Sequence, residues 1–144
     1  MTNEPISLRA ALARFDRLWS PRIVTRVNDY DVRIAKVAGE HVWHAHADTD
    51  EFFLVLAGEL TIALRDGGAI GEGAAAGGGT GPGERAVTLA QGEVFVVPRG
   101  VEHRPSSAAG ASILMFEPTG TLSVGDRHDH LPDHLDATTG HSLA

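Results

Sequence analysis

Seven short runs in which β-branched and apolar residues alternate with polar ones lie between Arg22 and Pro118: RIVTRVN, DVRIAKVA, EFFLVLAG, ELTIALRD, RAVTLAQ, EVFVVPRG and SILMFEP. Each has the length of a strand, and most are bounded by Gly, Pro, Asn or Asp. Parallel neighbours need long crossovers, usually helical, and no helical pattern interrupts these runs. The arrangement therefore predicts an all-β fold, an antiparallel sandwich or barrel. A chain of 144 residues suits one such domain with one buried core.

Outside the runs the texture changes. Leu8, Leu12, Phe15 and Trp19 recur at spacings of four, three and four, the period of one helix face, and Pro21 ends the pattern. This predicts a short amphipathic helix over the N-terminal segment. Between Asp66 and Glu84 the stretch GGAIGEGAAAGGGTGPG holds nine of the 17 glycines and reads as a flexible hairpin tip between two strands. It lacks the Gly-Lys-Ser/Thr and the following helix of a phosphate-binding loop. The last segment carries His128, His130, His134 and His141 among polar neighbours and reads as a partly ordered polar tail. The expected division is an N-terminal helix and strand over 1–30, part of the same domain as a barrel over 31–118, followed by a tail over 119–144.

Charge and composition narrow the function. Twelve basic residues against 19 acidic ones leave a formal net charge of −7, the wrong sign for a nucleic-acid backbone or an anionic membrane as main partner. With no cysteine, disulfides, thiolate nucleophiles and thiolate metal sites are excluded, so a metal must be held by histidine and carboxylate. Lys36 is the only lysine, which leaves one weak candidate for Schiff-base chemistry. The N-terminal stretch lacks the basic start and apolar core of a signal peptide, and no window reaches the length of a membrane span. The expectation is a soluble, cytoplasmic protein.

The chemistry concentrates in WHAHADTDEFFLVLAG, Trp43 to Gly58. Residues two apart on a strand share a face, so His44 and His46 project together and Trp43, Ala45 and Ala47 project the other way. Glu51 follows a short turn that can bring its carboxylate back beside the pair. A second segment, GEVFVVPRGVEHRP from Gly92 to Pro105, offers His103 from a separate hairpin. By parity His41 should turn off the shared face of His44 and His46. Arg104 should point away from His103, and Arg99 is the only basic residue well placed by motif position to meet an anionic substrate. Tyr30 and Trp43 are candidates to wall a pocket or to fill the core.

These residues resemble the two motifs of the cupin family. The first is matched by His44-x-His46-x4-Glu51-x6-Gly58, with Gly39 one residue closer than the family pattern. The second is matched by Gly92-x5-Pro98-x-Gly100-x2-His103, with Ser107 where the family often has asparagine. The resemblance covers about Asp31 to Pro118. It implies a double-stranded β-helix, the jelly-roll barrel of cupins, holding one divalent transition metal through His44, His46, Glu51 and His103. Three imidazoles and a carboxylate suit Mn, Fe, Co, Ni, Zn or Cu without choosing among them.

An octahedral ion with four protein ligands keeps two positions for water, substrate or oxygen. The function expected is therefore a metal-dependent enzyme on a small oxygenated molecule. It would be an isomerase, in the manner of cupin sugar-phosphate isomerases such as mannose-6-phosphate isomerase, or a dioxygenase. The alternative is a noncatalytic binding module for a small ligand or metal. No general base is evident beyond the ligands. In EFFLVLAG both strand faces are apolar, and one short helix does not cover a barrel's exterior, so a homodimer is expected.

Overall fold

The computed structural model describes residues 3–67, 83–126, 128 and 130–143. Its elements are α1 (Leu8–Leu12), β1 (Arg22–Val27), β2 (Tyr30–Glu40), β3 (Glu51–Gly58), β4 (Leu60–Arg65), β5 (Glu84–Leu89), β6 (Val94–Val97), β7 (Glu102–Pro118) and β8 (His141–Ser142). Each of the seven alternating runs contains a strand. Most of the glycine-rich stretch lies outside the described residues; β4 and β5, which flank it, pair antiparallel from Leu60↔Leu89 to Arg65↔Glu84.

Strand β7 organises the barrel. Its first part pairs with β4 (Leu64↔His103) and its later part with β3 (Phe52↔Phe116 to Gly58↔Ala111), while β2 runs antiparallel along its other edge. The sheet order is β5-β4-β7-β2-β1-β8, with β6 joined through β3. Period-2 alternation then sorts the side chains. Ala35, Val37, Phe53, Val55, Ile62, Leu64, Val97, Ile113 and Met115 fill the lumen. Gly58, with φ +82°, sits where any Cβ would collide with the Gly110 carbonyl, so the tight β3–β7 approach needs glycine.

The N-terminal helix is shorter than its apolar period suggests. It makes five residues, with Ser7 Oγ accepting from Ala10 N at 3.1 Å as its cap. Phe15 still packs with Ala11 and Ile34 on the outer face of β2, but the chain then leaves helical geometry. Leu18 bridges to Lys36, and Trp19 takes φ +55°, enters the lumen core and donates from Nε1 to Ala38 O at 2.8 Å. Burying the indole with its N–H satisfied outweighs further helical turns, whose propensity is weak by comparison. Lys36, the sole lysine, donates to Phe15 O at 2.7 Å; it ties this segment down and faces away from the lumen.

The C-terminal segment is likewise not a loose tail. Val124 and Leu135 join the lumen core, and β8 adds to β1 in parallel. Asp136 Oδ2 accepts from Ser20 Oγ and lies against His141 Nε2, both at 2.6 Å, while His134 Nε2 meets Glu40 O at 2.7 Å and His128 Nε2 meets Val124 O at 2.6 Å. Three of the four histidines thus have local partners. The two apolar anchors, spaced among polar residues, give no periodic signal in sequence.

Candidate metal centre

After Glu40 the chain leaves the regular ladder and rejoins it at His44, which faces His103 in an antiparallel bridge: His44 N donates to His103 O at 3.0 Å and His103 N to His44 O at 2.8 Å. His46 follows two residues on, and its carbonyl accepts from Gly100 N at 2.8 Å. Glu51 is the first residue of β3, opposite Val97. All four side chains turn inward and are at most 5% exposed. One donor atom from each lies within 4.8 Å of the others. Nε2 of His103 is 2.8 Å from Glu51 Oε1, Nε2 of His46 is 3.4 Å from Oε2, and Nε2 of His44 is 4.0 Å from Oε1.

The outer contacts fix which nitrogen faces the centre. Nδ1 of His44 meets Val42 O and Nδ1 of His103 meets Val101 O, each at 2.9 Å. A carbonyl only accepts, so each Nδ1 carries a proton and Nε2 of each ring faces the centre, the orientation that second-shell carbonyls give metal-bound histidines. Buried His46 Nε2 has no hydrogen-bond partner. Ring nitrogens that face a buried carboxylate need a cation between them, a proton or a metal ion. The donor set therefore fits a metal ion and can hold one.

Electrostatics divide the rings. Burial, reinforced by His103, pushes His44 well below the ordinary histidine value, so it is neutral and ready to ligate. Burial also draws His46 down, but the Glu51 carboxylate outweighs it and holds this pKa above the usual 6.5. For Glu51, burial opposes ionisation, yet contacts from His103 and His46 win and keep it well below the carboxylate range.

Two placements depart from the strand-parity expectation or went unseen in sequence. His41 is buried, with its ring 4.6 Å from that of His44 and 5.1 Å from that of Trp19, because the irregular stretch before His44 breaks period 2. Burial lowers its pKa to about 4, so it packs as a neutral ring. Glu117, on β7, faces the lumen. Burial and then the Glu51 charge raise its pKa well above the usual value. Its Oε1 accepts from Arg33 at 3.1 Å, while its Oε2 has no partner. The only sequence signal for it was an acidic residue at an inward-facing position of SILMFEP.

Neither Tyr30 nor Trp43 lines the lumen. Tyr30 stacks on Phe116 outside the barrel at 4.9 Å, and Trp43 lies under Arg65, whose guanidinium carbon is 3.7 Å from the ring centroid, with Arg104 at 5.2 Å. Arg104 points away from His103 as expected and pairs with Glu40 at 3.6 Å, while Arg99 pairs with Asp50 at 3.5 Å. Ser107 donates to Glu59 O at 2.7 Å and accepts from Gly110 N at 3.1 Å, bracing the turn region without touching the centre.

Residues 30–117 match the cupin domain family. The chain belongs to the cupin family. This cupin is 33% identical over 84 residues to the uncharacterized protein YdbB of Bacillus subtilis, a match spanning 58% of this chain and 59% of that relative. It is similar to the crystal structure of a cupin-2 domain containing protein from Shewanella frigidimarina, at 39% identity and a TM-score of 0.65, over 78% of this chain and 93% of that one. Hydroquinone 1,2-dioxygenase from Sphingomonas sp., solved with 4-nitrophenol, shares the fold at 23% identity and a TM-score of 0.63, over 80% of this cupin and 32% of the enzyme chain.

Proposed function

We propose that this cupin binds one divalent transition metal through His44, His46, Glu51 and His103 and uses it to transform a small oxygenated molecule. The observation that carries the reading is the convergence of one potential ligand atom from each of four buried side chains within 4.8 Å, with His46 Nε2 left without a hydrogen-bond partner. Mn, Fe, Co, Ni, Zn and Cu all suit this ligand set. Such a metal supplies Lewis acidity and, where redox-active, oxygen activation at its open positions.

Oxygenation is the first reaction type. Beside His44 and Glu51 lies a cavity of about 30 Å³, walled by Phe53, Ile113 and Met115, with room for about two water-sized molecules. A diatomic fits in that space. Isomerisation is the second, favoured by Glu117, which lines the same cavity with one carboxyl oxygen unpartnered. Oxygen consumption by the metal-loaded protein with small phenols and diols, run beside solvent-deuterium exchange into hydroxycarbonyls, separates the two. Metal uptake with neither activity would instead support a binding module.

We also propose a homodimer. The N-terminal cluster covers the outer face around Ile34, Leu56 and Leu114 but leaves Val94, Val96 and Tyr30 exposed at 57%, 46% and 39% beside partly buried Phe52 and Phe116. A second copy of the same face is the occupant that symmetry favours.

A further inference from the structure

Of the three histidines at the centre, His46 is held differently. His44 and His103 are each fastened twice: their backbones pair with one another, and each Nδ1 meets a carbonyl, Val42 O or Val101 O, at 2.9 Å. His46 has no such carbonyl contact among the described residues, and its Nε2 only faces Glu51 Oε2 at 3.4 Å. Its aim therefore rests on packing and on the backbone that carries it. Resting on the proposed metal reading, we infer that Asp126, in the C-terminal segment, is a positioning residue that aims His46 at the metal.

Asp126 grips the chain on both sides of His46. Its N–H donates to Ala45 O at 3.0 Å, and its Oδ2 accepts from Ala47 N at 2.7 Å. Those two atoms belong to the peptide groups that flank the His46 Cα. Peptide groups are planar, so holding both of them sets φ and ψ of His46 and with them the direction of its Cβ. The second of the two is also held through His46 O, which accepts from Gly100 N at 2.8 Å. Between β2 and β3 the ladder contact is the His44–His103 bridge, so for Ala45 to Ala47 the clamp supplies what a neighbouring strand would otherwise give.

The clamp is itself anchored. Val124, two residues earlier, is 2% exposed in the lumen core, and Gly125 packs against His44 and donates from its N–H to Leu122 O at 3.0 Å. The chain therefore delivers Asp126 to one place. The carboxylate is exposed, so water competes for Ala47 N and the contact counts as one ordinary hydrogen bond.

Three variants of the full chain test this by Zn²⁺ affinity, read in competition with a chelator. Asp126→Ala removes the acceptor and is expected to weaken Zn²⁺ binding about fivefold. Asp126→Asn keeps an amide oxygen for Ala47 N and should stay within about twofold of the wild type, because an exposed charge acts weakly on the centre. Asp48→Ala removes a neighbouring exposed carboxylate that has no hydrogen bond to this stretch among the described residues, and it should behave like Asp126→Asn. The visible absorption of Co²⁺-loaded protein, which reports ligand geometry, should change in Asp126→Ala and be kept in Asp126→Asn.

Metal-free protein at about pH 8.5, above the ordinary histidine range, supplies the independent readout. In Asp126→Ala the Ala47 amide should exchange faster, and ¹³C relaxation at the ring Cε1 should show His46 losing order while His44 and His103, held by their own carbonyls, keep theirs. Unchanged Zn²⁺ affinity in Asp126→Ala, an equal loss in Asp126→Asn, or loss of order shared by all three rings overturns the inference. A wild type that takes up neither Zn²⁺ nor Co²⁺ defeats the metal reading, and the clamp on His46 is then decided by the ring and the Ala47 amide alone.

Discussion

At the residue scale, the three histidines of the proposed metal site share one substitution signature. His44→Ala, His46→Ala and His103→Ala are each expected to abolish stoichiometric metal binding, whereas His128→Ala and His134→Ala, whose rings bond to backbone carbonyls away from the centre, leave it intact. Metal analysis of tag-free protein checks this. Affinity should also fall with pH, because protons compete for imidazoles that must be neutral to ligate. The competition starts early at His46, whose pKa stands above 6.5. Titrations between about pH 8 and about pH 5.5 should show progressive weakening, and a flat profile would contradict a three-histidine site. That the three histidines and Glu51 come together was legible in sequence because each lies in a short motif that matches a family pattern, although His103 stands 52 residues from Glu51. Glu117 and the inward turn of His41 were not, since both depend on how distant strands and an irregular stretch meet.

At the scale of elements, the alternating runs announced at least part of every long strand because burial on one face writes period 2 into the sequence, though the first part of β7, which carries His103, lies outside them. Where tertiary contacts override local pattern, the reading failed: the helix stopped after Leu12 once Trp19 found the lumen, and the C-terminal segment docked on two apolar anchors. That docking has a consequence for the centre. Gly125, with φ +77°, lies where a Cβ would come within 2.6 Å of Ala45 O and 2.9 Å of His44 Cβ. Gly125→Ala is therefore expected to push the His44–His46 stretch out of register and weaken metal affinity at least tenfold, read by competition with a chelator, while the barrel's circular dichroism is kept. Inside the barrel, fully buried Arg33 lies between Asp31 at 2.9 Å and Glu117 at 3.1 Å. Arg33→Met leaves buried Asp31 with Arg26 and Thr119 as partners and takes the donor from Glu117 Oε1, so it should lower stability by about 2–4 kcal/mol in urea unfolding.

At the scale of the whole molecule, the barrel encloses the centre, the N-terminal segment covers the outer face around Ile34, Leu56 and Leu114, and the C-terminal segment packs Val124 and Leu135 into the core. The face left uncovered predicts association. Light scattering at micromolar concentration should give about twice the 15.2 kDa chain mass, and Val96→Glu, in the exposed patch, should return it to the monomer. The central claim is the metal itself, and its most direct test is the metal content of tag-free protein, wild type beside His44→Ala, after reconstitution and desalting. The structure predicts one equivalent of divalent transition metal per chain in the wild type and none in the variant; no retained metal in the wild type, or full occupancy in the variant, would contradict it.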